Sequence, residues 1–80
     1  MSPNVIRVKA LDDYSLLIEF ENGEIKKFEV TPFLDKGRFQ ELREKSMFKT
    51  VKVNDGAVEW ANTLDLSSDT LYFLSNSIKE

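Results

Sequence analysis

Residues 14–30, YSLLIEFENGEIKKFEV, decide the fold of this chain. Apolar side chains occupy every second position from Tyr14 to Phe20, which is the pattern of a strand with one buried face. A second run of strand-forming residues extends from Glu24 to Val30, and Glu21-Asn22-Gly23 lies between the two runs. The stretch therefore predicts an antiparallel hairpin.

The length of the hairpin loop follows from the same pattern. A two-residue loop of Asn22-Gly23 would turn Phe28 and Val30 toward the polar side of the sheet. A three-residue loop that begins at Glu21 instead places Phe28 opposite Leu16 and gathers the apolar side chains on one face. Because a shift by one residue turns every side chain over, the apolar pattern favours the three-residue loop. We expect Gly23 to adopt the left-handed conformation that ends a bulged loop of this kind.

Further segments on both sides complete a single small domain over residues 1–80. The predicted segments are a first strand over 4–10, a helix over 38–46, a second hairpin with strands 50–53 and 57–60 around Asn54-Asp55-Gly56, and a last helix capped by Ser67 or Ser68. The sequence thus predicts an α+β fold with a mostly antiparallel sheet, in the order β-β-β-α-β-β-α, and two short helices packed on one face.

Apolar spacing assigns a buried face to most of these segments. In the first strand Ile6, Val8 and Ala10 are expected on one face, opposite Arg7 and Lys9. In the first helix Phe39 and Leu42 point inward. The last helix buries its apolar residues at helical spacing, although Tyr72-Phe73 also suits a strand; these residues are Leu71, Leu74 and Ile78.

The composition excludes several classes of function. The chain has no His and no Cys, so it lacks the residues of Ser-His-Asp triads, thiolate nucleophiles and structural zinc sites. We therefore expect no enzyme activity and no cofactor or metal. A net charge of −3 argues against a nucleic-acid partner. No apolar run has the length of a membrane span or of a signal peptide, so we expect no membrane contact and a cytoplasmic location.

The outer face of the hairpin, opposite the predicted core face, also carries apolar residues. Leu17 and Ile25 are expected on the face opposite Phe20, with Val5 beside them. A contiguous apolar patch on a small domain typically marks an interface. Tyr72 or Phe73, whichever the last helix turns outward, would extend this patch. The sequence predicts that it binds another small protein or a second copy of the chain, unless the chain's own last helix covers it.

A second interpretation places a small-ligand or carboxylate-based catalytic pocket around Trp60, Asp65 and Asp69. An indole beside two carboxylates suits a ligand or a hard cation. The simpler interpretation is that Trp60 belongs to the core, Asp65 closes a turn and Asp69 favours the start of a helix. Turn and cap preferences favour this simpler interpretation.

The order of these motifs resembles a family known only as domain of unknown function 2442. The resemblance covers nearly the whole chain. It rests on the run Leu16–Glu24, on Pro32-Phe33-Leu34 with Gly37–Leu42, on Phe48, and on Trp60 with Asp65–Tyr72. Members typically have Gly or a small residue just before the aspartate that matches Asp65, where this chain has Asn62-Thr63-Leu64.

The resemblance implies an α+β domain without an established activity. Some members carry an additional helix-turn-helix, and many are encoded beside another small protein, an arrangement similar to toxin–antitoxin pairs. The resemblance therefore implies that this domain is an antitoxin-like or regulatory half of a two-gene pair. Because residues 1–80 leave no room for a helix-turn-helix, we expect such a role to act by binding a protein rather than an operator.

Overall fold

The computed structural model describes residues 2–77 and contains two antiparallel sheets with short helices. The strands are β1 Val5–Ala10, β2 Ser15–Phe20, β3 Ile25–Glu29, β4 Lys52–Asn54, β5 Ala57–Glu59, β6 Asp65–Leu66 and β7 Asn76–Ser77. The α-helices are α1 Lys45–Phe48 and α2 Ser68–Leu74, and 3₁₀-helices cover Thr31–Phe33 and Gly37–Arg43. The α+β class and the antiparallel strands are as the sequence predicts.

The register of the first hairpin confirms the three-residue loop. Leu16 pairs with Phe28, and the Val30 N–H donates to the Tyr14 carbonyl at 2.9 Å. Gly23 has a φ of 91°, and its N–H donates to the Phe20 carbonyl at 2.9 Å. The buried side of this hairpin forms the centre of the core because its apolar side chains all point the same way.

The core joins both sheets and both α-helices. Its fully buried members are Val5, Leu16, Ile18, Phe20, Phe28, Val30, Leu42, Phe48, Val58, Trp60 and Leu71. The strands form two sheets rather than the single sheet predicted, in the orders β1-β2-β3-β7 and β4-β5-β6. Between β1 and the second hairpin the backbone contact is the Val5 N–H donating to the Gly56 carbonyl at 2.9 Å. Side-chain packing of Val58 and Trp60 provides the rest of the connection.

The first strand differs from the prediction at its start. A bulge between Val5 and Arg7 interrupts the pairing with β2. Because a bulge adds one residue to one strand, it shifts the alternation of side chains. Val5 therefore enters the core, while Ile6 is 51% exposed. The prediction that Ile6 shares the buried face is wrong, and so is the prediction that Val5 lies on the outer face.

The helices also differ from the prediction. Residues 37–43 form a 3₁₀-helix, and an extended backbone at Glu44 separates it from α1. The three-residue spacing of Phe39 and Leu42 suits a 3₁₀-helix, in which side chains at positions i and i+3 are aligned. The second hairpin closes through two residues, Asp55-Gly56, because Asn54 pairs with Ala57.

The last helix is shorter than its apolar spacing indicates. Ser67 is the N-cap and accepts a hydrogen bond from the Thr70 N–H. The helix ends at Leu74 because Ser75 is extended and Asn76 then pairs with Lys27 at the free edge of β3. The predicted core residue Ile78 lies outside the described residues.

Candidate functional site

The outer face of the four-stranded sheet is less apolar than the sequence predicts. Leu17 and Ile25 line a groove of about 130 Å³ together with Arg7, Lys9 and Glu19. Arg7 and Glu19 form an ion pair across it, with 3.1 Å between Nε and Oε1. The predicted patch of three apolar residues is therefore reduced to two, surrounded by charge, since Val5 belongs to the core.

Tyr72 lies on the inner side of the sheet and does not extend the outer face. Its ring contacts Phe20 edge-on, with 5.2 Å between the ring centroids. The Lys26 Nζ lies 3.7 Å from the centroid of the Tyr72 ring and donates to the Tyr72 carbonyl at 2.8 Å. A desolvated cation over an aromatic face is a stabilising contact. Tyr72 therefore attaches α2 to the hairpin rather than to a partner.

Glu24 completes this attachment at the end of the hairpin. The Tyr72 hydroxyl and the Asn22 side chain stabilise the carboxylate and lower the pKa of Glu24 below its ordinary value. The same carboxylate raises the pKa of the Tyr72 phenol. Asn22 Nδ2 donates to Glu24 Oε1 at 3.0 Å. These pKa shifts result from contacts that hold the helix in place.

The last turn of α2 presents two apolar side chains to solvent. Phe73 is 76% exposed and Leu74 is 57% exposed. Leu71 faces the core, so Phe73, two residues further at about 100° per residue, lies on the opposite side of the helix. Leu74 lies at one flank of the helix and borders a groove. The sequence predicts that Phe73 extends the apolar patch of the outer sheet face. Phe73 is exposed, but α2 packs on the inner side of the sheet, and Phe73 is not among the residues that line the groove of Leu17 and Ile25.

This groove has a volume of about 370 Å³ and lies between α2 and the end of β3. We call it the α2 groove; it is lined by Phe28, Glu29, Pro32, Phe33, Leu74 and Asn76. The rings of Phe28 and Phe33 stack beside it, with 5.7 Å between their centroids, and Phe33 in turn contacts Phe39. The groove is therefore an apolar hollow with a carboxylate and an amide among its lining residues.

Among residues 2–77, the indole that the predicted pocket would need lies in the core. Trp60 is 1% exposed, and its Nε1 donates to the Phe48 carbonyl at 3.0 Å. Asp65 is an exposed residue of β6 and pairs with Glu59. Asp69 lies in the first turn of α2, where its Oδ1 accepts from the Ser2 N–H at 3.3 Å. Trp60 and Asp69 have the positions of the simpler interpretation, whereas the expectation that Asp65 closes a turn is wrong, because Asp65 lies in β6. The buried indole is not available to contact a ligand beside the two carboxylates.

Residues 2–77 offer neither a metal site nor a membrane-spanning helix. No cluster of three or more His, Cys, Asp or Glu side chains in this part of the chain has the geometry to hold a metal ion. Among the helices described there, none combines the length and the apolar character that crossing a bilayer requires. Phe73 and Leu74, beside the α2 groove, are the most exposed of the large apolar side chains described there.

The helical spacing predicts Leu74 in the core, which is wrong because Leu74 is exposed, and the groove therefore has no counterpart in the sequence pattern. Tyr72-Phe73-Leu74 is a run of three large apolar residues in a helix. A single helix face cannot bury three consecutive residues. The run therefore indicates that at least one of these three side chains is exposed. No sequence pattern near Glu29 or Pro32 indicates that they line the groove, because their position there depends on the pairing of β7 with β3, which brings the end of α2 to β3.

Comparison with known families agrees with this fold. The sequence model of the family described as "Protein of unknown function (DUF2442)" matches residues 5–77. The chain belongs to this family. The match includes every described strand and helix of the DUF2442 domain. No curated protein and no solved structure matches the chain significantly.

Proposed function

We propose that this DUF2442 domain is a non-catalytic protein-binding module and that its contact surface is the α2 groove together with Phe73. The observation that carries the proposal is the exposure of Phe73 and Leu74 in one helical turn, at 76% and 57%. A largely exposed Phe contributes little to folding, whereas aromatic anchors beside a hollow are common at interfaces. The adjoining groove offers a matching concavity for a partner side chain.

The partner in this proposal is another small protein encoded nearby, and the domain is the antitoxin-like or regulatory half of the pair. The gene neighbourhood implied by the family resemblance supports this part of the proposal. The proposal includes a cytoplasmic location. A ligand-binding or enzymatic role is not proposed, because Trp60 is buried and its side chain is already hydrogen-bonded.

Co-expression with the product of the neighbouring gene, followed by size-exclusion chromatography, tests the proposal. We expect the two chains to elute together, and a Phe73→Ser/Leu74→Ser double variant to separate them. Ile25→Ser is the matched control, since Ile25 is 44% exposed on the outer sheet face. All three substituted positions are exposed, so unfolding free energies should stay within about 0.5 kcal/mol per substitution.

Separate elution of the wild-type chains at micromolar concentration would contradict the neighbouring-partner part of the proposal. Loss of the complex in Ile25→Ser, with the double variant unaffected, would move the contact surface to the outer face of the sheet. Circular dichroism of each variant confirms that the chain remains folded.

A further inference from the structure

The wall of the α2 groove includes an uncovered stretch of sheet edge. In the first hairpin the Phe20 N–H donates to the Glu24 carbonyl and the Val30 N–H to the Tyr14 carbonyl, both at 2.9 Å. Residues 24, 26, 28 and 30 therefore bond to β2, and residues 25, 27 and 29 present their backbone groups to the opposite edge. Within the described chain, β7 pairs with Lys26 and Lys27 only.

Glu29 is the next outward position of β3 after the β7 pairing ends. Antiparallel pairing would place Leu74 opposite it, but Leu74 is helical. The N–H and carbonyl of Glu29 thus have no backbone partner among residues 2–77. Groups of this kind, at the edge of a sheet, bind an extended chain by adding a strand.

The charge available at this edge is negative. Glu29 is exposed and forms no ion pair with any other described residue. The neighbouring cations are already engaged: Lys26 contacts Tyr72, and Lys27 pairs with Asp13 at 3.1 Å. A partner that approaches the α2 groove therefore meets a carboxylate that forms no ion pair with a lysine among residues 2–77.

We propose that the α2 groove binds an extended segment of the partner that carries a basic side chain next to an apolar one. The apolar side chain enters the hollow between Pro32, Phe33 and Leu74. The segment's backbone pairs with Glu29, and its basic side chain meets the Glu29 carboxylate. This inference rests on the proposed protein-binding function and specifies the chemistry of the partner. A second copy is the weaker occupant, because each chain carries a net charge of −3.

Selection from a random peptide library tests the inference. The library is panned on the immobilised wild-type chain, and clones that also bind a Leu74→Ser chain are removed. We expect the enriched peptides to combine a Lys or Arg with an apolar residue. In ¹⁵N NMR titrations, one such peptide should shift the amide signals of Glu29, Phe33 and Asn76.

A charge variant separates this inference from the protein-binding function itself. Glu29→Gln should weaken binding of the basic peptide about 2- to 5-fold, as expected for one exposed ion pair, and leave a neutral peptide of the same apolar sequence unchanged. If peptides depend on Leu74 but show no basic preference, the charge inference is wrong and the binding function stands. If no enriched peptide depends on Leu74, both fail.

Sedimentation of the wild-type chain at two concentrations tests whether a second copy of the chain occupies the α2 groove. A dimer that Leu74→Ser converts to a monomer would assign the α2 groove to a second copy and would overturn the inference. A monomer at both concentrations agrees with a heterologous partner.

Discussion

Thr63 occupies the same position in the loop between β5 and β6 that Gly23 occupies in the first hairpin. Both have a positive φ, 68° for Thr63 and 91° for Gly23. The Thr63 N–H donates to the Trp60 carbonyl and the Gly23 N–H to the Phe20 carbonyl, each at 2.9 Å. The preceding asparagine accepts from the backbone N–H two residues later in both loops, at 3.0 and 3.1 Å. A β-branched residue thus holds a conformation that favours glycine.

Replacement of Thr63 by Gly should therefore stabilise the protein. The left-handed conformation costs a non-glycine residue about 1–2 kcal/mol, and the added chain entropy of glycine offsets part of that gain. We expect the free energy of unfolding in urea to rise by about 0.5–1 kcal/mol. Gly23→Ala is the matched control, since a Cβ at Gly23 has open space and only the backbone is strained. It should lower stability by about 1 kcal/mol. A Thr63→Gly variant less stable than wild type would contradict this account.

The buried indole of Trp60 should be important for stability rather than for ligand binding. Trp60→Phe leaves the Phe48 carbonyl without its hydrogen bond and opens space in the core. We expect a loss of about 2–3 kcal/mol in the free energy of unfolding, measured by urea denaturation. Phe73→Leu is the control, because it shortens an exposed aromatic side chain and should cost less than about 0.5 kcal/mol. Equal losses in the two variants would contradict the assignment of Trp60 to the core.

Asp65 and Glu59 form a pair of like charges across β5 and β6. Directly opposed carboxylates on neighbouring strands repel each other. Asp65→Lys should convert this repulsion to attraction and raise the free energy of unfolding by about 0.5 kcal/mol at low salt, less at high salt. Asp35→Lys changes the net charge equally at a position outside both sheets and serves as the control. A larger gain in the control would show that net charge, not the pair, is responsible.

The contact between Glu24 and Tyr72 should make stability depend on pH at both extremes. The folded state lowers the pKa of Glu24 from 4.5, so this contribution is present above pH 4.5 and is lost as the pH falls through the folded-state value. It raises the pKa of Tyr72 from 10.0, so that contribution is present below pH 10.0 and is lost as the pH rises further. Urea midpoints across this range should show both losses.

Tyr72→Phe should remove the alkaline loss and reduce the acidic one. Part of the acidic loss should remain, because the Ser15 and Lys27 side chains also lower the pKa of Asp13. An unchanged alkaline profile in Tyr72→Phe would contradict the assignment.

The first hairpin could be predicted in detail because its alternation is long and unambiguous. The alternation over the seven residues Tyr14–Phe20 assigns the buried face of β2. One register alone places the apolar side chains of both strands on that face. The start of β1 could not be predicted, because Val5 and Ile6 are both apolar and either one can face the core. The bulge that selects Val5 depends on contacts with the second hairpin loop, 51 residues further along the chain (Gly56).

The candidate site was predictable only in part. The sequence predicts Phe73 as a contact residue beside Leu17 and Ile25; Phe73 is exposed, but on α2 rather than on the outer sheet face. The α2 groove brings Leu74 to Glu29 and Pro32, which lie 45 and 42 residues earlier in the sequence. Their proximity depends on Ser75 leaving the helix and on Asn76 pairing with β3, and the helical spacing of Leu71 and Leu74 gave no sign of either. Tertiary pairing here overrides local helix preference.

Within residues 2–77, the first sheet and the second hairpin are joined by the backbone hydrogen bond from Val5 to Gly56, and Val58, Trp60 and Phe48 pack in the core that both sheets share. The interface between the two sheets is therefore formed by packed side chains rather than by a continuous row of backbone hydrogen bonds. Substitutions there change side-chain packing between the two sheets without removing a hydrogen bond of either sheet's strand pairing. The α2 groove lies on the half that holds the first hairpin, so its shape can persist when the smaller sheet changes.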